Sequence, residues 1–389
     1  MRLADGNTLR HPFENDESSE EIQPQLKSCD SGSLPFTGDL QKHLEGAAVY
    51  GRVSNEVTKF FEQSVVSVFV DKVEAGIDAP NYPQFRDMTE MFFDMIEGIS
   101  KVDGGYIETA PLTIKNGMTA IPEVSAIKNR ADFIAEKLGA PFNVRICITG
   151  PYTLASRFAY KDKGIFARLG NMIVQILEGN IFENKHGAVQ LVSIDEPVFG
   201  LVDDPLLDYG SEGRENLLKA WEILAKKIKA KGAQSVLHLH TTRDELFWNV
   251  ESLDIIESHV DDSFYQAKST RERLETTDKF TKASIAVTDF DQLIRNKITA
   301  ESSLKLSEAS LNEKTAETWT DINKRRVDPN SFIEGNSLIR KRLAQIVELF
   351  GENRVPYAGP ECGLRSFPTY DSALECLRRV AKTVKPTKS

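Results

Sequence analysis

The chain has 389 residues, 40% hydrophobic and 27% charged, and a mean hydropathy of −0.33, the composition of an ordinary globular protein. Its 58 acidic side chains against 48 basic ones leave a net charge of −10, which argues against a general binder of nucleic acid or anionic membrane. No run approaches the ~18 apolar residues of a membrane span, and the polar opening MRLADGNTLR lacks the apolar core of a signal peptide. Four cysteines (Cys29, Cys147, Cys362 and Cys376) are too few for a disulfide scaffold and suit a reducing, cytoplasmic setting.

In chain order, residues 1–28 carry the run ENDESSEEIQPQ and are expected to form an acidic, solvated extension. A first strand is expected near 31–35. Further apolar runs predict strands at 105–111, 143–149, 188–195, 235–240, 260–265 and 283–287. Amphipathic stretches predict helices at 55–75, 86–99, 154–178, 214–231, 242–256 and 270–280. Residues 294–330 break this rhythm and are expected to be a charged helical insertion. A helix at 332–350, a strand at 354–358 and a closing helix at 370–383 complete the chain. Seven or eight strand–helix units predict an α/β fold, a (β/α)8 TIM barrel over 29–389 with that insertion. A doubly wound sheet is disfavoured, because no G-x-G-x-x-G follows the first strand.

In such a barrel, chemistry gathers at the C-terminal ends of the strands. Asp195-Glu196-Pro197 ends one strand, and its two carboxylates can orient an amine or do acid–base work; the alternative is a cap or an ion pair. His238-Leu239-His240 ends the next. Residues i and i+2 share a face of a strand, so both imidazoles can converge as half of a metal site, or sit as hydrogen-bonded core histidines. Cys362, flanked by glycine and proline on the loop after the last strand, can reach a central ligand, whereas Cys147 and Cys376 read as small buried hydrophobes. Ser31-Gly32-Ser33 can form an anion-binding turn. The polar loop Tyr82–Met88 offers Gln84 and Asp87 as ligand contacts, with capping by Asp87 or an ion pair of Arg86 as the alternative.

Taken in order, SGSLP, AGIDAPNYPQFRDM, ITGPYTL, the strand ending IDEP, the histidine strand and PECGL resemble the catalytic half of cobalamin-independent methionine synthase. The resemblance runs from about Ser31 to the end, the charged insertion excepted. With no room for a second barrel, the chain looks like the short single-barrel relatives of archaea and some bacteria, which can take their methyl group from a corrinoid protein instead of a folate. The resemblance implies zinc as cofactor, binding the homocysteine thiol and supplying a thiolate that attacks a methyl group. By position, Cys362 matches the family's cysteine ligand, Gly32 and Ser33 the turn that holds the substrate carboxylate, and Asp195 the group that receives the substrate ammonium.

The departures are specific. The family's histidine strand reads H-x-C, and here His240 stands in the cysteine's place when His238 is aligned with the histidine; a second register aligns His240 and leaves Thr242 there. The family's glutamate ligand lacks a clear counterpart, and Gln266 lies nearest its expected place as a possible fourth ligand. The histidine that assists folate-linked transfer has no match near 287–291. The expected protein is therefore a zinc-dependent methyltransferase acting on homocysteine or another small thiol, with a methyl-corrinoid or methyl-folate donor. Its alternatives are a related thiol alkyltransferase or lyase, and a metal-free barrel without catalysis.

Overall fold

The structure, a computed structural model, describes residues 26–385; most of the expected acidic extension lies outside the described residues. Seven parallel strands form one sheet: β1 (Lys27–Ser28), β4 (Phe142–Thr149), β5 (Gly187–Glu196), β6 (Gln234–Leu239), β7 (Ile255–Glu257), β8 (Phe280–Ala286) and β9 (Tyr357–Pro360), in the order β1-β9-β8-β7-β6-β5-β4. The gap between β1 and β4 is closed by residues 79–81, which bridge Cys29 to Ala79 on one side and Asn81 to Arg145 on the other. Ala79 N donates to Ser28 O (3.0 Å) and Arg145 N to Pro80 O (2.9 Å). Pro80 has no amide proton to donate, so this eighth stave makes only a broken ladder. The ring is a (β/α)8 barrel.

Helices cover its outside through amphipathic faces. Glu212–Ala230 is capped by Ser211, whose side chain accepts from Arg214 N, and buries Leu217, Ala220, Trp221, Leu224 and Ile228 at three- and four-residue spacing. Inside the barrel, Cys29, Ala79, Leu191, Val236, Ile255 and Tyr357 form a small apolar floor separate from the main core. Alternation along the strands then places Ser193, His238 and Glu257 one step nearer the mouth, and Asp195, His240 and His259 one step beyond.

Several elements differ from those expected. Residues 31–35 are the loop after the first strand, which is only Lys27–Ser28. The expected helix 86–99 shrinks to Glu90–Phe93, and Ile96–Val102 (β2) pairs with Gly105–Ile114 (β3) as an antiparallel hairpin outside the barrel ring. Within β2, Gly98 sits at φ +86° at the register shift between Glu97 and Ile99, a conformation a helix cannot hold. The stretch 154–178 is two helices, Pro151–Ala155 and Ile165–Asn180. The expected strand 260–265 is a turn and a short 3-10 segment, Ser263–Tyr265; the strand there is β7, which overlaps the end of the stretch read as helix 242–256. The charged insertion resolves into Phe290–Glu301, the helix that follows β8, and an additional helix, Glu308–Asn323. They are joined by Phe290 against Trp319, with ring centroids 5.4 Å apart.

Candidate metal centre and substrate pocket

Four side chains reach one point at the C-terminal mouth of the barrel. His238 is the inward residue near the end of β6, and His240 lies just past that end. His259 stands two residues beyond β7 and Cys362 two beyond β9. One ligand atom from each lies within 4.8 Å of all the others. Cys362 Sγ is 3.7 Å from His240 Nε2, and the rings of His240 and His259 lie 4.0 Å apart at their centroids. His259 Nε2 is buried without a hydrogen-bond partner, an expensive condition for a ring nitrogen unless a ligand completes it. Three imidazoles and a thiol are donors that suit zinc. Gln266 is not among them: it is exposed, and its backbone closes the Ser263–Tyr265 turn. The fourth member is His259, which the sequence reading did not single out.

The electrostatics of the cluster follow from its crowding. Burial alone would raise the Cys362 thiol, but the three neighbouring imidazoles of His238, His240 and His259 outweigh it and hold the thiol well below its usual range. Burial would likewise lower His238, yet its contacts with Cys362 and Glu257 push it up to about 10. His240 moves down, chiefly because it is desolvated.

Beneath the cluster lies a buried ionic layer. Arg145 and Glu257 are both fully buried; Arg145 Nη1 donates to Glu257 Oε2 (3.1 Å) and Nη2 to Oε1. Lys282 Nζ is 3.2 Å from Glu257 Oε2. Arg145 also donates to Ser193 Oγ (2.9 Å), whose hydroxyl donates to Asp195 Oδ1 (2.6 Å).

Asp195 faces the interior, its register partner on β6 being His238, and burial raises its carboxyl despite the opposing pull of His238 and Arg145. Across the mouth, the loop 31–33 meets the loop that carries Cys362. Gly32 holds φ +66° against Gly363, and Leu364 N donates to Ser33 O (2.8 Å). The hydroxyls of Ser31 and Ser33 are buried without partners.

No protein-family model matches the chain. The methionine synthase of Saccharolobus solfataricus is 24% identical over 229 residues, covering 56% of this chain and 63% of that protein. The 5-methyltetrahydropteroyltriglutamate–homocysteine methyltransferase of Coxiella burnetii is 20% identical over 294 residues, 72% of this chain and 36% of that one. The B12-independent methionine synthase from Shewanella sp. W3-18-1, solved in complex with selenomethionine, superposes with a TM-score of 0.57 at 13% identity, over 92% of this chain and 97% of that one. The chain is related to the methionine synthases. The matched region spans less than two thirds of either sequence relative, and the structural likeness carries the barrel fold.

Three other expected site residues make hydrogen bonds within the protein. Glu196 points out of the barrel, since it alternates with the inward Asp195. Its oxygens accept from Tyr152 N (2.9 Å), Thr153 N (2.6 Å) and Trp221 Nε1 (2.9 Å), so it caps the Pro151–Ala155 helix and does not reach the mouth. Asp87 Oδ1 folds back onto Thr89 N (2.8 Å) and Glu90 N (2.9 Å), and Arg86 forms a bidentate pair with Glu123. Gln84 Nε2 donates to Tyr82 OH (3.3 Å). A cavity of about 570 Å³ opens over His240 and His259, edged by Arg243, Asp261 and Asp289. Among the described residues no helix is long and apolar enough to cross a membrane.

Proposed function

We propose that this chain is a zinc-dependent methyltransferase that moves a methyl group onto the thiol of homocysteine. The observation that carries the reading is the convergence of His238, His240, His259 and Cys362 on one point, at the mouth of a barrel related to the methionine synthases. These four residues would hold the ion. When bound, zinc supplies a Lewis acid that keeps a coordinated thiol deprotonated near neutral pH.

The chain's own groups handle the rest of the amino acid. Asp195 receives the ammonium: its carboxyl is raised by burial, and an arriving cation restores the charged form. The substrate carboxylate goes to the Ser31-Gly32-Ser33 turn, where two buried hydroxyls have no protein partner and a hydrogen-bond acceptor would satisfy them. The Arg145–Glu257 layer and the apolar floor close the barrel from below and exclude water. With both ends held, the thiolate sulfur is fixed for in-line attack: the sulfur–carbon bond forms as the bond from methyl to donor breaks.

The test uses the full chain purified without chelator and loaded to one zinc per chain. Homocysteine is supplied with a methylated folate or with methylcobalamin, and methionine is measured. Zinc-dependent methionine from one donor, lost in Cys362→Ala, is the expected result and names the donor class. No methionine from either donor overturns the reading, and turnover of another thiol in a parallel panel would reassign the acceptor.

A further inference from the structure

We infer that Glu257 is the positioning residue of His238, held in place by Arg145 and Lys282; the inference rests on the zinc reading above. Glu257 ends β7 on its inward side, with its side chain fully buried. His238 Nδ1 lies 2.9 Å from Glu257 Oε1, close but too bent to be a hydrogen bond, and it has no other partner. With Nδ1 turned to a carboxylate, Nε2 is the ring nitrogen left to face Cys362 and the other two imidazoles. A carboxylate behind a ligating histidine fixes its tautomer and ring orientation and strengthens it as a donor.

The clamp explains how such a carboxylate is tolerated. A buried carboxylate without partners is costly. Here two cations pair with it: Arg145, bidentate from β4, and Lys282 from β8. Lys282 Nζ also donates to Pro360 O (2.6 Å), two residues before Cys362. One network therefore fixes the strand bearing His238 and the strand leading to Cys362 together. The sequence supports the assignment independently, since Ile255, Glu257 and His259 alternate on one face as Val236, His238 and His240 do.

The test compares Glu257→Gln with the parent. Zinc affinity is measured by chelator competition, and the ligand field by the visible spectrum of the cobalt-substituted protein. Glu257→Gln is expected to weaken zinc on the order of 10- to 100-fold and to shift the cobalt bands, with partial recovery in Glu257→Asp. Affinity within twofold of the parent and an unchanged spectrum overturn the inference. Long-range proton–nitrogen spectra of the zinc-loaded parent provide a check that needs no folded variant. A buried histidine protonated at Nδ1 and metal-bound at Nε2 is expected; His238 bound through Nδ1 overturns the assignment. A parent that binds zinc in this way yet makes no methionine would sink the methyltransferase reading and leave this one standing, whereas a parent that binds no zinc sinks both.

Discussion

His240 and His259 lie ring against ring, with centroids 4.0 Å apart and planes tilted by 43°, joining the end of β6 to the loop after β7. Each ring restricts the other, so both bring their nitrogens to Cys362 from fixed directions. Because His259 Nε2 has no other partner, the pair is arranged for a ligand more than for its own packing.

Zinc content separates His259 from the residue the spacing had suggested. The parent is expected to carry close to one zinc per chain, His259→Ala well below half of that, and Gln266→Ala the same as the parent. Elemental analysis of the three proteins decides it. Full zinc in His259→Ala would remove His259 from the ligand set.

The reason His259 was not legible lies in β7. That strand is three residues long, too short for a period, and its apolar pair Ile255–Ile256 extends the helical spacing of the residues before it. Reading 242–256 as helix pushed the expected strand to 260–265 and the fourth ligand out to Gln266. By contrast β5 and β6, strands of ten and six residues rich in apolar side chains, were readable, and with them the placement of Asp195, His238 and His240 at the mouth. The eighth stave, 79–81, has no run to read at all. The turn of Gly32 and the loop of Cys362 were legible by their residue types, but their contact joins opposite ends of the chain and only the closed barrel brings it about.

In zinc-stripped protein, Cys362 is expected to react as a thiolate on the acid side of neutrality. Three imidazoles hold its thiol well below the usual range despite burial, whereas burial raises Cys29, Cys147 and Cys376. Iodoacetamide at pH 6.5 should label Cys362 alone, on the order of tenfold faster than a peptide thiol, which is only about 1% ionised there. Loading with zinc should suppress the labelling. Peptide mapping by mass spectrometry reads both, and equal labelling of all four cysteines would contradict the geometry.

Glu196 should give the fold a distinctive pH dependence. Burial is the largest influence on its carboxyl and pushes it up to about 7 from 4.5, against the amide and indole hydrogen bonds that pull it down. A folded-state value above the unfolded one means that the folded chain binds the extra proton. Its contribution is therefore full below about pH 4.5 and is lost as pH rises through 7, by about 3 kcal/mol at most. Glu196→Gln cannot ionise, so its stability relative to the parent should improve steadily from pH 5 to 8. Denaturant unfolding across that range checks the slope, and parallel curves for the two proteins would refute it.

Gly32→Ala tests whether the proposed carboxylate turn and the Cys362 loop form one unit. At φ +66° an alanine costs about 1 kcal/mol from backbone strain alone, and its Cβ would sit 2.9 Å from Gly363 Cα. Neither partner can yield as a flexible side chain would, because the crowded atoms are backbone on both sides. Relief must move Gly363, and Cys362 with it. The variant is therefore expected to lose about 1–3 kcal/mol of stability and to bind zinc more weakly, although Gly32 is not itself a member of the cluster. Methionine formation should show a raised KM for homocysteine as the turn distorts. If zinc affinity stays at the parent's value while stability falls, the two loops move independently and the coupling is wrong.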